Sequence, residues 1–339
     1  MKKKHLIFYF LTISFFSFFS CSGLMDPDEP GNLVPKTVSE DPSLPQLNIT
    51  STTLHLETKG EVNNSILIFL HSGPGRDYRS MTKLETLADD GYFLIFYDQR
   101  GTGLSKRHDK NQITMEDYIE DLNRIIITYN TQPGVSVYLI GHGWGAMLAT
   151  AYINTYPGKI EGAVLCDPYA FTGEYLESIR DNLFDLNLSS EWYNDYIWNS
   201  TMMSADSHER KDYQFYLYIK DSRPLLGDNE DDPSPLWRPG AVANEAINES
   251  LQDSDGKFNF DFTANLQSYQ KDVFFVRSEF NKILDESHHL KLMEYYPKST
   301  LVTANDAAHD IFWSNPIELT DIINSYLRID AAAQKGGNK

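Results

Sequence analysis

Apolar positions along this chain gather into short unbroken runs. Each run ends at a turn marked by glycine, proline or a charged residue, and helical periodicity follows. The runs at 66–70, 92–97, 135–140 and 162–165 have no polar alternation, which predicts strands buried on both faces. Helical patterns fall between them at 78–90, 114–130 and 146–156. The second of these carries Thr114 at its N-cap position and Asp117 three residues on, a capping-box spacing. After a long interruption the alternation resumes: strands at 273–276 and 300–303, helices at 285–295 and 316–327. Residues 47–57 alternate only in part and predict antiparallel strands leading into the rest. A strand–helix repeat of this kind predicts a mostly parallel central sheet flanked by helices, with right-handed crossovers.

The interruption runs from 168 to 261. Strand signals vanish there and helical, aromatic-rich segments take over at 175–186, 191–198 and 211–219, with an acidic, proline-containing loop at 227–235. The pattern predicts a core built from 47–167 and 262–328, a helical cap inserted at 168–261, and a frayed tail at 329–339. Trp192, Tyr193, Tyr196, Trp198 and Trp237 are either cap packing or the lining of an apolar pocket.

Length allows one large α/β domain with an insertion: 339 residues, 41% of them hydrophobic. The formal net charge of -19 makes nucleic acid and anionic lipid poor partners. No phosphate-binding glycine loop and no Cys/His metal-ligand spacing is present, so neither a cofactor nor a metal is expected.

The first residues read as an address and not as part of the fold. Lys2, Lys3 and Lys4 precede an apolar stretch at 6–19, then Ser20-Cys21-Ser22-Gly23. This is short for a membrane span and fits a signal peptide over 1–20. The placement of Cys21 resembles a bacterial lipoprotein lipobox, which implies acylation of Cys21 and an anchor to a membrane of the bacterial cell envelope, with the domain outside the cytoplasm. The proline-rich, acidic residues at 21–46 then read as a flexible spacer. Of the two cysteines only Cys166 would remain in the folded domain, so no internal disulfide is expected.

The candidate chemistry centres on Gly141-His142-Gly143-Trp144-Gly145, between the strand at 135–140 and the helix at 146–156. This has the outline of a nucleophile elbow, a sharp strand-to-helix turn that exposes a serine at its tip. Here the tip, residue 143, is glycine. His71-Ser72-Gly73-Pro74-Gly75 follows another buried strand, and Asp98-Gln99-Arg100-Gly101-Thr102-Gly103-Leu104-Ser105 follows the next.

On these three stretches the chain resembles the prolyl aminopeptidases (proline iminopeptidases) of the α/β-hydrolase fold, over about residues 47–328. The resemblance implies peptide or ester hydrolysis by a nucleophile–acid–histidine set. It places the oxyanion hole at the backbone amides of Ser72 or Gly73 and of Trp144. It makes the 98–105 string a structural brace for loop and elbow. It implies His309, in Ala307-Ala308-His309-Asp310, as the base and aligns Asn281 with the acid. An amide there holds an imidazole without charge, so Glu279 and Asp285 remain alternative acids. Glu174 and Glu177 are the candidate partners of a substrate α-amino group.

Without a side chain Gly143 cannot attack, although it takes the positive-φ elbow conformation freely. Three readings stay open: an inactive or nearly inactive relative that binds a small peptide-like or acyl ligand; a hydrolase with a relocated nucleophile, Ser72 among the candidates; and a purely structural lipoprotein. Restoring serine at 143 is expected to give detectable hydrolysis. Oligomeric state is not readable from the sequence.

Overall fold

The computed structural model describes residues 32–183, 204, 206–221 and 234–337. Its centre is an eight-stranded sheet in the order β1-β2-β4-β3-β5-β6-β7-β8. Strands β1 (Gln46–Ile49) and β2 (Thr52–Lys59) are antiparallel and lead in at one edge. The other strands, β3 (Ile66–Leu70), β4 (Phe93–Tyr97), β5 (Val137–His142), β6 (Gly162–Cys166), β7 (Val273–Ser278) and β8 (Ser299–Ala304), run parallel. Strands β3 to β6 are buried at every position, as their continuous apolar runs predict.

Helices cover both faces. A series of 3-10 turns spans Tyr78–Ala88, with the Asp77 carboxylate accepting the Arg79 N–H at its start. Helix α1 (Met115–Tyr129) begins with the expected reciprocal cap: the Thr114 hydroxyl accepts the Asp117 N–H, and the Asp117 carboxylate accepts the Thr114 N–H. Helix α2 (Trp144–Thr155) follows the elbow and is buried at all but its last two residues. The closing helix, Pro316–Gly337, continues through most of 329–339, where a frayed tail is expected; the alanines at 331–333 favour helix by intrinsic propensity.

Order within the sheet decides where chemistry can sit. The chain steps outward from β3 to β4, then returns to place β5 on the other side of β3. Such a reversal opens a crevice at the carboxyl ends of the strands. The register Leu70↔Gly141 and His142↔Cys166 brings the loops after β3, β5 and β6 side by side.

The inserted region leaves and rejoins the core at one point, where the Phe262 N–H donates to the Phe171 carbonyl at 2.9 Å. Its described helices are α3 (Gly173–Leu183), α4 (Ser207–Asp221) and α5 (Ala241–Ser250). The expected helix at 191–198, with Trp192, Tyr193, Tyr196 and Trp198, lies outside the described residues. Trp237 packs on the core: its ring stands edge-on to Tyr78 at 4.9 Å and to His55 at 5.4 Å. The buried Asp212 fastens α4 to the core by accepting from Arg107 Nε at 2.8 Å, Arg238 Nε at 2.7 Å and the Ala241 N–H at 3.0 Å.

Part of the stretch expected as a spacer at 21–46 packs on the core. Residues 1–31, Cys21 included, lie outside the described residues, but Thr37 and Val38 are buried and the Val38 N–H donates to the Leu104 carbonyl. Glu40 pairs with Arg238 at 3.0 Å, and Arg238 also donates to the Pro35 carbonyl. A guanidinium that Asp212 has already drawn out of solvent recruits this otherwise linker-like segment. No described helix is long and apolar enough to cross a membrane.

Candidate active site

The elbow forms as the glycine spacing demands. A Cβ on Gly145 would stand 1.9 Å from the Leu70 carbonyl oxygen, and one on Gly141 would stand 2.6 Å from Ala146 Cα, so α2 can rest on β3 and β5 only without those atoms. Gly143 sits at the tip with φ 53° and ψ -109°. Its N–H donates to the Cys166 carbonyl at 2.9 Å, which pins the tip to the end of β6. Trp144 opens α2, where a backbone N–H has no intrahelical acceptor and can face an anion.

Gln99 holds the 71–75 loop against the elbow. Its Nε2 donates to the His71 carbonyl at 3.1 Å, and its Oε1 accepts the Trp144 indole N–H at 2.9 Å. His71 Nε2 accepts the Gln99 backbone N–H, and its Nδ1 donates to the Ser72 carbonyl at 2.7 Å. Burial pushes the His71 pKa down to about 4, so the ring is neutral in that tautomer. Asp98 braces the same turn from below, accepting His55 Nδ1 at 2.8 Å, the Leu104 N–H at 2.7 Å and the Tyr78 N–H at 3.1 Å. The bracing role expected of the 98–105 string is visible in these bonds.

His309 comes to the same place from the loop after β8. Its Nδ1 faces Asp167 Oδ2 at 3.3 Å, and its Nε2 meets the Tyr169 hydroxyl at 3.1 Å. His142 Nε2–H donates to the His309 carbonyl at 2.8 Å and fixes the loop. Burial pushes the His142 pKa down to about 4, with the His309 ring adding to the effect.

The carboxylate facing His309 therefore belongs to Asp167, at the end of β6, and not to the position after β7. Asn281 instead supports that carboxylate: its Nδ2 donates to Asp167 Oδ2 at 3.1 Å, while its Oδ1 accepts the Ile283 and Leu284 N–H groups. The alternative acids are engaged elsewhere. Glu279 accepts the Asp306 N–H, and Asp285 caps helix α6 (Glu286–Met293) by accepting the His288 N–H. Complete burial alone would raise the Asp167 pKa; the His289 and His309 rings beside the carboxylate overcome it and hold the group well below the usual carboxylate range.

Two further histidines, unnoticed in the sequence, fix the 167–169 segment. His288 Nε2–H donates to the Pro168 carbonyl at 2.7 Å, and its Nδ1 accepts the Tyr175 hydroxyl at 2.8 Å. His289 Nδ1–H donates to the Asp285 carbonyl, and its Nε2 lies 3.4 Å from Asp167 Oδ1. A His-His pair on the helix after β7, together with a lone Asp directly after an apolar strand, is the signal that could have found this cluster.

Two hydroxyls crowd the position that a side chain at residue 143 would take. A Cβ there would stand 2.9 Å from Ser72 Oγ and 3.1 Å from the Tyr169 hydroxyl. Glu174 is exposed on α3. Glu177 accepts the Phe258 N–H at 2.8 Å and pairs with Arg180, so its carboxylate has a structural role. Among the described residues no cluster of metal-ligating side chains is present.

The family model for the alpha/beta hydrolase fold matches residues 65–316. The chain belongs to that family. In sequence it is prolyl aminopeptidase-like: it is 26% identical over 276 residues to a proline iminopeptidase of Heyndrickxia coagulans, covering 77% of this chain and 90% of that protein. A proline iminopeptidase of Clostridium botulinum is 26% identical over 224 residues, 62% of this chain and 71% of the relative. Among solved structures, a proline iminopeptidase-related protein of Thermus thermophilus superposes with a TM-score of 0.58 at 16% identity, covering 84% of this chain and 96% of that one. The proline iminopeptidase of Mycobacterium smegmatis gives 0.57 at 15%, covering 85% and 99%. At these identities the structures speak for the fold alone.

Proposed function

We propose that this hydrolase-family protein has lost serine-based peptide hydrolysis and uses its site to hold a small peptide-like or acyl ligand, with turnover far below that of its relatives. One observation carries the reading: the acceptor nitrogen of His309, which a serine at position 143 would engage, is engaged by Tyr169 at 3.1 Å instead. The base, its buried acid and the glycine loop remain together, which supports a site still shaped for acyl or peptide groups. The lipobox-like placement of Cys21 supports attachment to a bacterial envelope membrane by acyl chains, since a chain of net charge -19 has little attraction of its own for anionic lipid.

The test is turnover of proline-β-naphthylamide by the purified protein beside a His309→Ala variant. The expected result is saturable binding with no hydrolysis above that background. Turnover in the usual enzyme range, about 1–10³ s⁻¹, overturns the proposal. Absence of any saturable binding overturns the ligand-holding part of it and leaves a structural lipoprotein. For the anchor, Cys21→Ser is expected to move the protein from the membrane fraction to the soluble one.

A further inference from the structure

We propose that Tyr169 is the acyl acceptor of this site, and that the compounds it accepts acyl groups from are activated esters or thioesters and not amides. The inference rests on the reading above, that position 143 no longer supplies the nucleophile, and deepens it by naming the group and the substrate class that follow.

The geometry has the form of an activated nucleophile: an attacking oxygen within reach of a base, and the base oriented by a third group. Tyr169 Oη lies 3.1 Å from His309 Nε2, and His309 Nδ1 lies 3.3 Å from Asp167 Oδ2. A neutral imidazole that donates from Nδ1 to a carboxylate has its lone pair at Nε2, and in that tautomer the Tyr169 phenol is the donor of the 3.1 Å contact. Location agrees. The same oxygen stands 3.1 Å from where a Cβ of residue 143 would be, at the tip of the elbow and beside the start of α2. Tyr169 is only half-buried, whereas its neighbours Asp167 and Pro168 are buried. The segment carrying it is anchored by the His288 bond to the Pro168 carbonyl and by the Asp167 bonds to the Ser278 N–H and to Asn281.

Substrate class follows from leaving-group chemistry. Tyr169 Oη attacks the acyl carbon and its proton passes to His309 Nε2. When the tetrahedral intermediate collapses, the C–O or C–S bond of the substrate breaks and that proton goes to the departing oxygen or sulfur. Water then attacks the acyl-tyrosine. Its proton goes to His309 and on to the released Oη, so the phenol is regenerated and a carboxylic acid leaves. A phenol has a pKa near 10, so it is itself a good leaving group. Faced with an amide, the intermediate expels the phenol and returns to substrate. Faced with a phenol ester or a thioester, whose leaving group has a pKa of about 10 or below, it goes forward.

The experiment uses p-nitrophenyl acetate with the full chain, with proline-β-naphthylamide in parallel. The expected result is a burst approaching one p-nitrophenolate per protein, with one acetyl group mapped by peptide mass spectrometry to Tyr169. Tyr169→Phe, which keeps the ring and removes the attacking oxygen, is expected to lose the burst, with an unchanged far-UV spectrum. A Tyr169→Phe variant acetylated at the parent's rate, acetyl on Ser72 or elsewhere in the parent, or no burst from the parent overturns the inference. Those outcomes leave the ligand-holding proposal standing, since it is read separately from the amide: rapid release of naphthylamine overturns that proposal instead.

Discussion

Asp167 and His309 are 142 positions apart in the chain, yet the carboxylate of one stands 3.3 Å from the imidazole of the other. Parallel pairing makes this possible, because β6, β7 and β8 end at the same edge of the sheet and deliver Asp167, the Ser278–Asn281 turn and the His309 loop together. Asp167→Asn keeps the shape and removes the charge. It weakens the acceptor that the buried His309 ring and the Ser278 N–H share, a loss of about 1–3 kcal/mol in denaturant unfolding. The Tyr169 acetylation rate is expected to fall by up to about 10⁴-fold, the size of effect known for the acid of a serine-protease triad. Asn281→Asp is not expected to improve the site. It places a second buried carboxylate beside the first, raises one of the two pKa values and destabilises the fold.

Restoring serine at the elbow is not the simple repair that the sequence implies. The conformation at 143, with φ 53°, carries strain of about 1–3 kcal/mol for a residue with a side chain. The new Cβ would also press on the Tyr169 ring, with its Cζ at 3.2 Å, and on Ser72 Oγ. Gly143→Ser alone is therefore expected to lower stability and show little hydrolysis of proline-β-naphthylamide. Gly143→Ser with Tyr169→Ala opens the space and frees His309 Nε2, and is expected to be at least tenfold more active on the amide than the single variant. Equal activity of the two would mean that Tyr169 does not block the serine route.

What was legible in the sequence follows from which interactions are local. Burial on both faces writes continuous apolar runs, so 66–70 and the strand ending at Cys166 could be read directly. Capping is a four-residue event, so Thr114 and Asp117 could be read too. The elbow was legible because Gly141 and Gly145 answer to close packing within a few residues. The acid was not: Asn281 and Asp167 lie at the ends of neighbouring strands, and only the assembled sheet decides which of them turns toward His309. Tyr169 was hidden for a similar reason, being one of 20 tyrosines and sitting where the core gives way to the cap. Residues 35–46 read as a linker by composition, and only the remote Arg238 makes them part of the domain.

Gln99 gives a test of the brace. Its side chain joins the His71 carbonyl to the Trp144 indole, and both partners are buried. Gln99→Leu removes both bonds and strands an acceptor and a donor, at about 1–3 kcal/mol each. The expected outcome is a drop in unfolding free energy of about 2–6 kcal/mol, together with slower Tyr169 acetylation, since loop and elbow no longer hold their separation. Gln99→Glu separates the two effects: it can still accept from the Trp144 indole, but it places charge against the His71 carbonyl. A normal acetylation rate in Gln99→Leu would show that the loop is held without this bridge.

Acid should weaken the fold through its buried neutral histidines, and His288 isolates the effect. Burial holds its pKa at about 4, against 6.5 for a free imidazole. Between those values the unfolded chain binds a proton that the folded chain does not, so stability falls as pH drops from about 6.5 toward 4. A displacement of that size corresponds to about 3 kcal/mol at the acid end. His71 and His142 act in the same direction, each held at about 4 by burial. Asp77 opposes them: burial raises its pKa to about 7, so it costs stability as pH rises from about 4 to 7. In His288→Gln the histidine contribution is absent while the others remain. Urea unfolding at pH 7 and pH 4.5 is expected to show a smaller loss between the two conditions in the variant than in the parent, even though the variant starts less stable at pH 7. Equal losses would mean that His288 is protonated in the folded state, and that its bond to the Pro168 carbonyl does not require a neutral ring.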